Sequence, residues 1–158
     1  MDASPPATDQ PRINRDDFRF FHPLRVRWAE VDGQKVVFNV NYYLYFDVTV
    51  TEYWRAVGFT EPLDMAGSHA SELYVVKSSA EFFGSARYDD VLHIGCRAAV
   101  MGRSSLRMSF GVWLGDQHLT TGEIVYVNVD TRSGKAVSLQ DAMKTRILAY
   151  EKVAPAKQ

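Results

Sequence analysis

Four strand-like runs follow one long apolar helix, with no second helix between them, and this order leaves few folds open to the chain. Residues 105–114 alternate most cleanly, placing Leu106, Met108, Phe110, Val112 and Leu114 on one face. Residues 90–101 alternate through Leu92, Ile94, Cys96, Ala98 and Val100, and residues 72–84 put Tyr74, Val76, Ala80 and Phe82 together. Residues 118–129 end in IVYVNV, apolar on both faces, as in a strand covered on both sides. The joins SARYDD, MGRSS and LGDQH read as turns between sequential strands. Parallel strands would need long crossovers, usually helical, and none is present. The sheet is therefore antiparallel and the class α+β.

Upstream of these runs the hydrophobic period changes. From Leu24 to Val31, Val26, Trp28 and Glu30 alternate with Arg25, Arg27 and Ala29, a strand pattern. Beyond it, Tyr43, Phe46, Asp47, Val50, Trp54 and Val57 recur at three- and four-residue steps, which predicts a helix over Asn39 to Val57. Tyr42, Leu44, Val48 and Tyr53 widen its apolar surface, so the helix is expected to be largely enclosed, with Gly58 as its stop. Loops are expected through EPLDMAGSHA and DTRSGKAV. A terminal helix follows in SLQDAMKTRILAYEK, with Ser138 and Asp141 spaced like a capping box. The expected organisation is a mobile tail over 1–17, one domain over 18–152 and a C-terminal tail over 153–158.

Composition excludes several classes of function. The 158 residues suit one core, and 46% hydrophobic content supports it without a metal or disulfide. A formal charge of −1 gives no general attraction to nucleic acid or anionic membrane. The proline-rich, polar N-terminus has no apolar signal region, and no run approaches the ~18 apolar residues of a membrane span. A single cysteine, Cys96, permits no intrachain disulfide, reads as a buried thiol and fits the cytoplasm. The four histidines, His22, His69, His93 and His118, lack metal-ligand spacing, and neither a phosphate loop nor a G-x-S-x-G elbow is present.

What remains is an acid at a helix entrance. Glu30 and Asp32 stand shortly before the predicted helix. A helix N-terminus exposes unpaired N–H groups carrying roughly half a positive charge, which can polarise a carbonyl oxygen. A carboxylate seven residues before Asn39 can fold back across that entrance, attack a thioester carbon or activate a water. The alternative is a plain turn, since Asp32-Gly33 is a common turn pair. Glu30 is read as a flanking polar group, and Glu52, pointing away from the apolar stripe, as solvated or at an interface.

The stretch from Arg27 to Gly58 resembles the 4-hydroxybenzoyl-CoA thioesterase family of hotdog-fold proteins. The resemblance rests on Trp28, Glu30, Asp32, Val36-Val37, Asn41-Tyr42-Tyr43 and Tyr45-Phe46-Asp47, and extends to YDDVL (88–92) and GRSSLRMSF (102–110). It implies a five-stranded antiparallel sheet wrapped around a central helix. Asp32 then matches the catalytic carboxylate, nucleophile or general base. Asn39 matches the residue whose backbone N–H binds the thioester oxygen, and Asp47 a supporting helix acid. Arg103, Ser104 and Ser105 fall where the family contacts the phosphates of CoA, often across a subunit interface. Lys35 departs from the family, standing where glycine is usual, and so does Asn39, replacing an aromatic or histidine.

The implied activity is hydrolysis of an acyl-CoA thioester, with CoA part of the substrate and no separate cofactor or metal. An acyl carrier protein is an alternative donor, and a non-catalytic acyl binder an alternative function. A hotdog dehydratase would need a histidine at the helix entrance, which DGQKVVFNVN lacks. An exposed sheet edge predicts a homodimer or homotetramer.

Overall fold

A computed structural model describes residues 13–59 and 70–158. The first 12 residues of the expected tail and nearly all of the EPLDMAGSHA loop lie outside the described residues. The chain runs β1 (Phe20–Arg25), α1 (Asn41–Val57), β2 (Ser71–Phe82), β3 (Val91–Met101), β4 (Ser105–Leu114), β5 (Gln117–Asp130), α2 (Asp141–Tyr150) and β6 (Ala156–Lys157). The main path of the sheet is β1-β3-β4-β5-β2, antiparallel at every step. It wraps α1 in the expected hotdog arrangement.

The alternation in the sequence becomes the core. Leu92, Ile94, Cys96 and Ala98 from β3 and Leu106, Met108, Phe110 and Val112 from β4 are fully buried beneath the helix. Tyr42, Tyr45, Phe46, Thr49, Val50, Tyr53, Trp54 and Val57 form the buried face of α1. At the centre the Phe46 ring stacks on Phe110 at 4.8 Å. It also lies over Gly122, where an added Cβ would stand 2.3 Å from the ring. A side chain there would push the helix off the sheet. Gly58 ends α1 as expected, at φ 105°, with its N–H directed to the carbonyls of Arg55 and Trp54. Burial raises the Cys96 thiol above its ordinary pKa, and Cys96 packs as part of the core.

Several local expectations change. The first strand covers Phe20–Arg25 rather than Leu24–Val31, because β3 pairs with it from Phe20↔Cys96 to Arg25↔Val91. Its Pro23 is tolerated on an edge strand. Trp28–Glu30, read as alternating strand, is a 3₁₀ turn. Helix α1 starts at Asn41, two residues later than expected, with Asn39 in the preceding turn. A bulge between Val75 and Lys77 breaks the β2 register, so Tyr74 and Val76 do not continue one buried face with Ala80.

The terminal helix lacks the capping box: Gln140 is its N-cap, and Ser138 instead accepts from Arg103. At the N-terminal side, Arg15–Asp17 form a 3₁₀ turn that leads into buried Phe18. Within the expected C-terminal tail, β6 pairs in parallel with Val100 and Met101 of β3. Finally, α1 is enclosed on one side only, since Tyr43, Leu44 and Val48 remain exposed. Among the described residues, no helix is long and apolar enough to cross a membrane.

Candidate active site

The segment from Arg27 to Tyr42 is irregular, yet nearly every turn of it is tied down. Glu30 is the anchor, with only 4% of its surface exposed. Its Oε2 accepts from the Arg27 N–H at 2.7 Å and from the Tyr45 hydroxyl at 2.8 Å. Its Oε1 accepts from Arg27 Nε and Nη2 at 2.8 and 2.6 Å. The Glu30 carbonyl accepts from the Phe38 N–H and from Asn41 Nδ2, both at 2.9 Å. One residue thus fixes the 3₁₀ turn, the helix entrance and the side of α1. Burial alone would raise the Glu30 pKa, but the Arg27 and Tyr45 hydrogen bonds outweigh it and hold the carboxyl below its ordinary value. Tyr45 responds in the opposite sense, raised by burial and by its bond to Glu30.

Between the bridged pair Val31 and Val37 the chain makes a tight turn. The Lys35 N–H donates to the Asp32 carbonyl, and the Asp32 N–H to the Val36 carbonyl, each at 2.9 Å. The Gln34 N–H donates to Asp32 Oδ1 at 2.8 Å, the local bond that makes aspartate a turn former. Lys35 occupies the left-handed region at φ 63°, a conformation that favours glycine. Asp32 therefore does shape a turn, through Gln34 rather than Gly33. Its second oxygen, Oδ2, has no protein partner among the described residues.

Beyond this turn, Val37 donates to the Ala86 carbonyl at 2.8 Å, and Asn41 and Tyr42 donate back to Phe38 and Asn39. The N–H groups of Asn39 and Val40 find no acceptor among the described residues. Asp32 and Asn39 line one cleft of about 310 Å³, with Val37, Phe38, Tyr42 and Phe82 on its walls. A second cleft of about 520 Å³ shares Asp32 and is bounded by Trp28, Val31, Lys35, Arg87 and Tyr88. A carboxylate with an available oxygen, beside unpaired N–H groups at a helix entrance, can activate a nucleophile and stabilise an oxyanion.

The other sequence-derived site residues stand elsewhere. Asp47 is exposed on α1 and lines neither cleft. Arg103 donates to Ser138 Oγ at 3.3 Å, the Ser104 carbonyl accepts from the Asn128 N–H, and Ser105 Oγ donates to Gln158 Oε1 at 3.1 Å. Among the described residues, none of these three lines either of the two clefts that Asp32 shares. The anchoring role of Glu30 was missed by pattern reading, although Arg27-x-x-Glu30 has capping-box spacing. Arg87 and Tyr88 fall in the SARYDD turn, Tyr88 also in the YDDVL stretch of the resemblance, and their place in a cleft with Asp32 comes from tertiary pairing.

This architecture has counterparts among solved structures. The PA5185 protein from Pseudomonas aeruginosa strain PAO1 superposes with a TM-score of 0.76 at 28% identity, covering 91% of this chain and 99% of that one. Slr0204, a 1,4-dihydroxy-2-naphthoyl-CoA thioesterase from Synechocystis, superposes at 0.74 with 17% identity, over 81% and 94% of the two chains, a likeness of fold. In sequence, the uncharacterized protein YsmA of Bacillus subtilis (strain 168) is 29% identical over 136 residues, 85% of this chain and 88% of its own. Residues 34–121, more than half of the chain and beginning two residues after Asp32, match the thioesterase superfamily, and the protein belongs to that superfamily.

Proposed function

We propose that the protein is an acyl-CoA thioesterase of the 4-hydroxybenzoyl-CoA type. The observation that carries this reading is one cleft bounded by Asp32 and by the turn of Asn39 and Val40, where Asp32 Oδ2 and the two N–H groups have no partner among the described residues. The thioester carbonyl oxygen sits on those N–H groups. Asp32 either attacks the carbonyl carbon, giving an anhydride that water opens, or takes a proton from the attacking water. In both routes the carbon–sulfur bond breaks, the electron pair leaves on the CoA thiolate, and a carboxylic acid is released. Glu30 takes no proton in this scheme: its depressed pKa and its four hydrogen bonds make it a support for the loop.

Arg103, Ser104 and Ser105 are assigned to the CoA phosphates and Asp47 to a supporting role on the helix. For the CoA phosphates this reading takes Arg103, Ser104 and Ser105 from a second chain, since they line neither of the two described clefts, whereas Asp47 supports from its own exposed place on α1. The single chain also leaves Val75 and Val76 57% and 61% exposed on edge strand β2. A homodimer, or a pair of homodimers, covers this surface.

The test is hydrolysis of aliphatic and aromatic acyl-CoA thioesters by wild type and Asp32→Asn. Turnover is expected to fall by ~100-fold or more, the scale of losing a general base or nucleophile. Near wild-type turnover in Asp32→Asn would sink the assignment. In the same panel, Arg103→Ala should raise KM for acyl-CoA and leave the pantetheine thioester unaffected. An effect on both substrates, or on neither, removes Arg103 from the phosphate site. The active preparation should sediment as a dimer or larger, and an active monomer would refute the shared site. Failure on CoA thioesters with turnover of acyl-carrier-protein thioesters would transfer the reading to a carrier-protein thioesterase.

A further inference from the structure

The larger of the two clefts carries more chemistry than hydrolysis requires. It is bounded by Trp28, Val31, Asp32, Lys35, Arg87 and Tyr88. Trp28 and Tyr88 meet edge to face, ring centroids 5.3 Å apart, yet remain 73% and 53% exposed. Large aromatic rings held together in the open form an apolar wall without an occupant among the described residues. Two cations stand beside them. Among the described residues, neither the Lys35 ammonium nor the Arg87 guanidinium pairs with a carboxylate.

The neighbouring acids are engaged elsewhere. Asp89 pairs with Arg25 at 2.9 Å, and Asp90 Oδ2 accepts from the Arg87 backbone N–H at 2.7 Å. Among the described residues on the cleft wall, Asp32 is the one acid beside two cations, so this lining is net positive. Lys35 is held there at φ 63°, where glycine would sit without strain. Backbone strain at a non-glycine residue beside a reactive carboxylate points to a use for its side chain.

Position narrows what the occupant can be. The cleft includes Asp32, so its contents lie close to the reacting carbon of any thioester seated there. In a CoA thioester the nucleotide phosphates are separated from the sulfur by the whole pantetheine arm. A negative charge within this cleft therefore belongs to the acyl side. We propose that the cleft bounded by Trp28, Lys35, Arg87 and Tyr88 is the acyl subsite and selects acyl groups that end in a carboxylate. Trp28 and Tyr88 hold the carbon body, while Lys35 and Arg87 hold the terminal charge and offset its repulsion by Asp32. This selectivity rests on the thioesterase reading, and its test is built to stand apart from turnover.

The probes are thioethers, which cannot be hydrolysed: S-(4-carboxybutyl)-CoA, S-pentyl-CoA and the two corresponding pantetheine thioethers, titrated calorimetrically into the full-length protein. The carboxylate-ended thioether should bind ~10-fold or more tightly than the neutral one in both series, as charge-assisted contacts allow. Lys35→Gly, which keeps the turn conformation, and Arg87→Gln should each reduce that preference by roughly 3–10-fold and change neutral binding little. Circular dichroism and melting temperature establish that the variants are folded. Equal binding of charged and neutral thioethers would overturn the proposal. So would variants that weaken both CoA thioethers and neither pantetheine thioether, because the cations would then hold nucleotide phosphate. Charge preference together with an active Asp32→Asn would refute the hydrolytic assignment alone. Loss of turnover in Asp32→Asn without charge preference would refute the acyl subsite alone.

Discussion

Helix α1 presents two tyrosines eight residues apart, and each donates to a sequestered glutamate, with opposite consequences. At one end, Tyr45 meets Glu30, which also accepts from the Arg27 guanidinium and backbone. At the other, Tyr53 donates to Glu151 Oε1 at 2.5 Å, and the Ala98 N–H reaches the same oxygen at 2.7 Å. Glu151 Oε2 is buried with no partner among the described residues. The pKa of Glu30 is lowered, whereas burial raises that of Glu151 against the hydrogen bonds from Tyr53 and Ala98. The difference lies in a cation in direct hydrogen-bond contact. With one, a sheltered carboxylate becomes an ionic clamp; without one, it is held by neutral donors and its ionisation carries a desolvation cost.

The two clamps also hold different parts of the molecule. Glu30 fixes the loop that presents Asp32 and Asn39, while Glu151 joins the end of α2 to the bulged part of β3. The largest effect is expected from Glu30→Ala. It removes the bonds to Arg27 and leaves the buried Tyr45 hydroxyl unpaired, a loss of about 2–4 kcal/mol. Urea unfolding should show this loss, and thioester turnover should fall with it. Wild-type stability in the variant would show that the loop is held by other means.

Removing one hydroxyl at a time compares the clamps directly. Tyr45→Phe deletes a bond to a charged acceptor and should cost about 1.5–3 kcal/mol, with reduced turnover. Tyr53→Phe deletes one of two bonds to Glu151 Oε1, leaves the Ala98 N–H on that oxygen and should cost about 0.5–1.5 kcal/mol, with turnover retained. Equal effects of the two variants on turnover would erase the functional distinction.

The smallest expected effect separates the clamps by pH. A lowered folded pKa means that Glu30 contributes its stability above the ordinary glutamate value, and that contribution is lost as pH falls through the folded value. The raised pKa of Glu151 has the reverse sign: its contribution is complete below the ordinary value and declines as pH rises through the folded value. In melting curves from pH 3 to 8, Glu30→Gln should be most damaging near neutrality and least at the acid end. Glu151→Gln should be closer to wild type at neutrality than Glu30→Gln. Parallel pH profiles for the two variants would contradict the assigned shifts.

Much of this scaffold is written in local periods. Two-residue alternation in Leu106 to Val112 and Leu92 to Ala98 specifies strands and their buried faces. Three- and four-residue spacing from Tyr42 to Val57 specifies the helix, and Gly58 its end. Asp32 is legible as an acid before a helix entrance, with a plain turn as the alternative, whereas the role of Asn39 enters only through the family resemblance. The extent of β1 is not legible, because pairing with β3 recruits Phe20 to Pro23 and the Arg27–Glu30 clamp bends Trp28 out of the strand. Likewise β6 is too short to carry a period of its own and exists as a strand through pairing with Val100 and Met101.

By itself, then, the amino-acid order determined the α+β class, the central helix, the buried faces of β3 and β4 and the acid before the helix. These follow from repeats that a chain of any tertiary structure would read locally. Tertiary structure alone decided that Glu30 supports the loop, that Lys35 sits in the left-handed region, and that Arg87 and Tyr88 share a cleft with Asp32. It also decided that one side of α1 stays uncovered by its own sheet. Burial, charge pairing and the meeting of distant turns depend on which strand lies beside which, and that register arises only when the sheet closes around the helix.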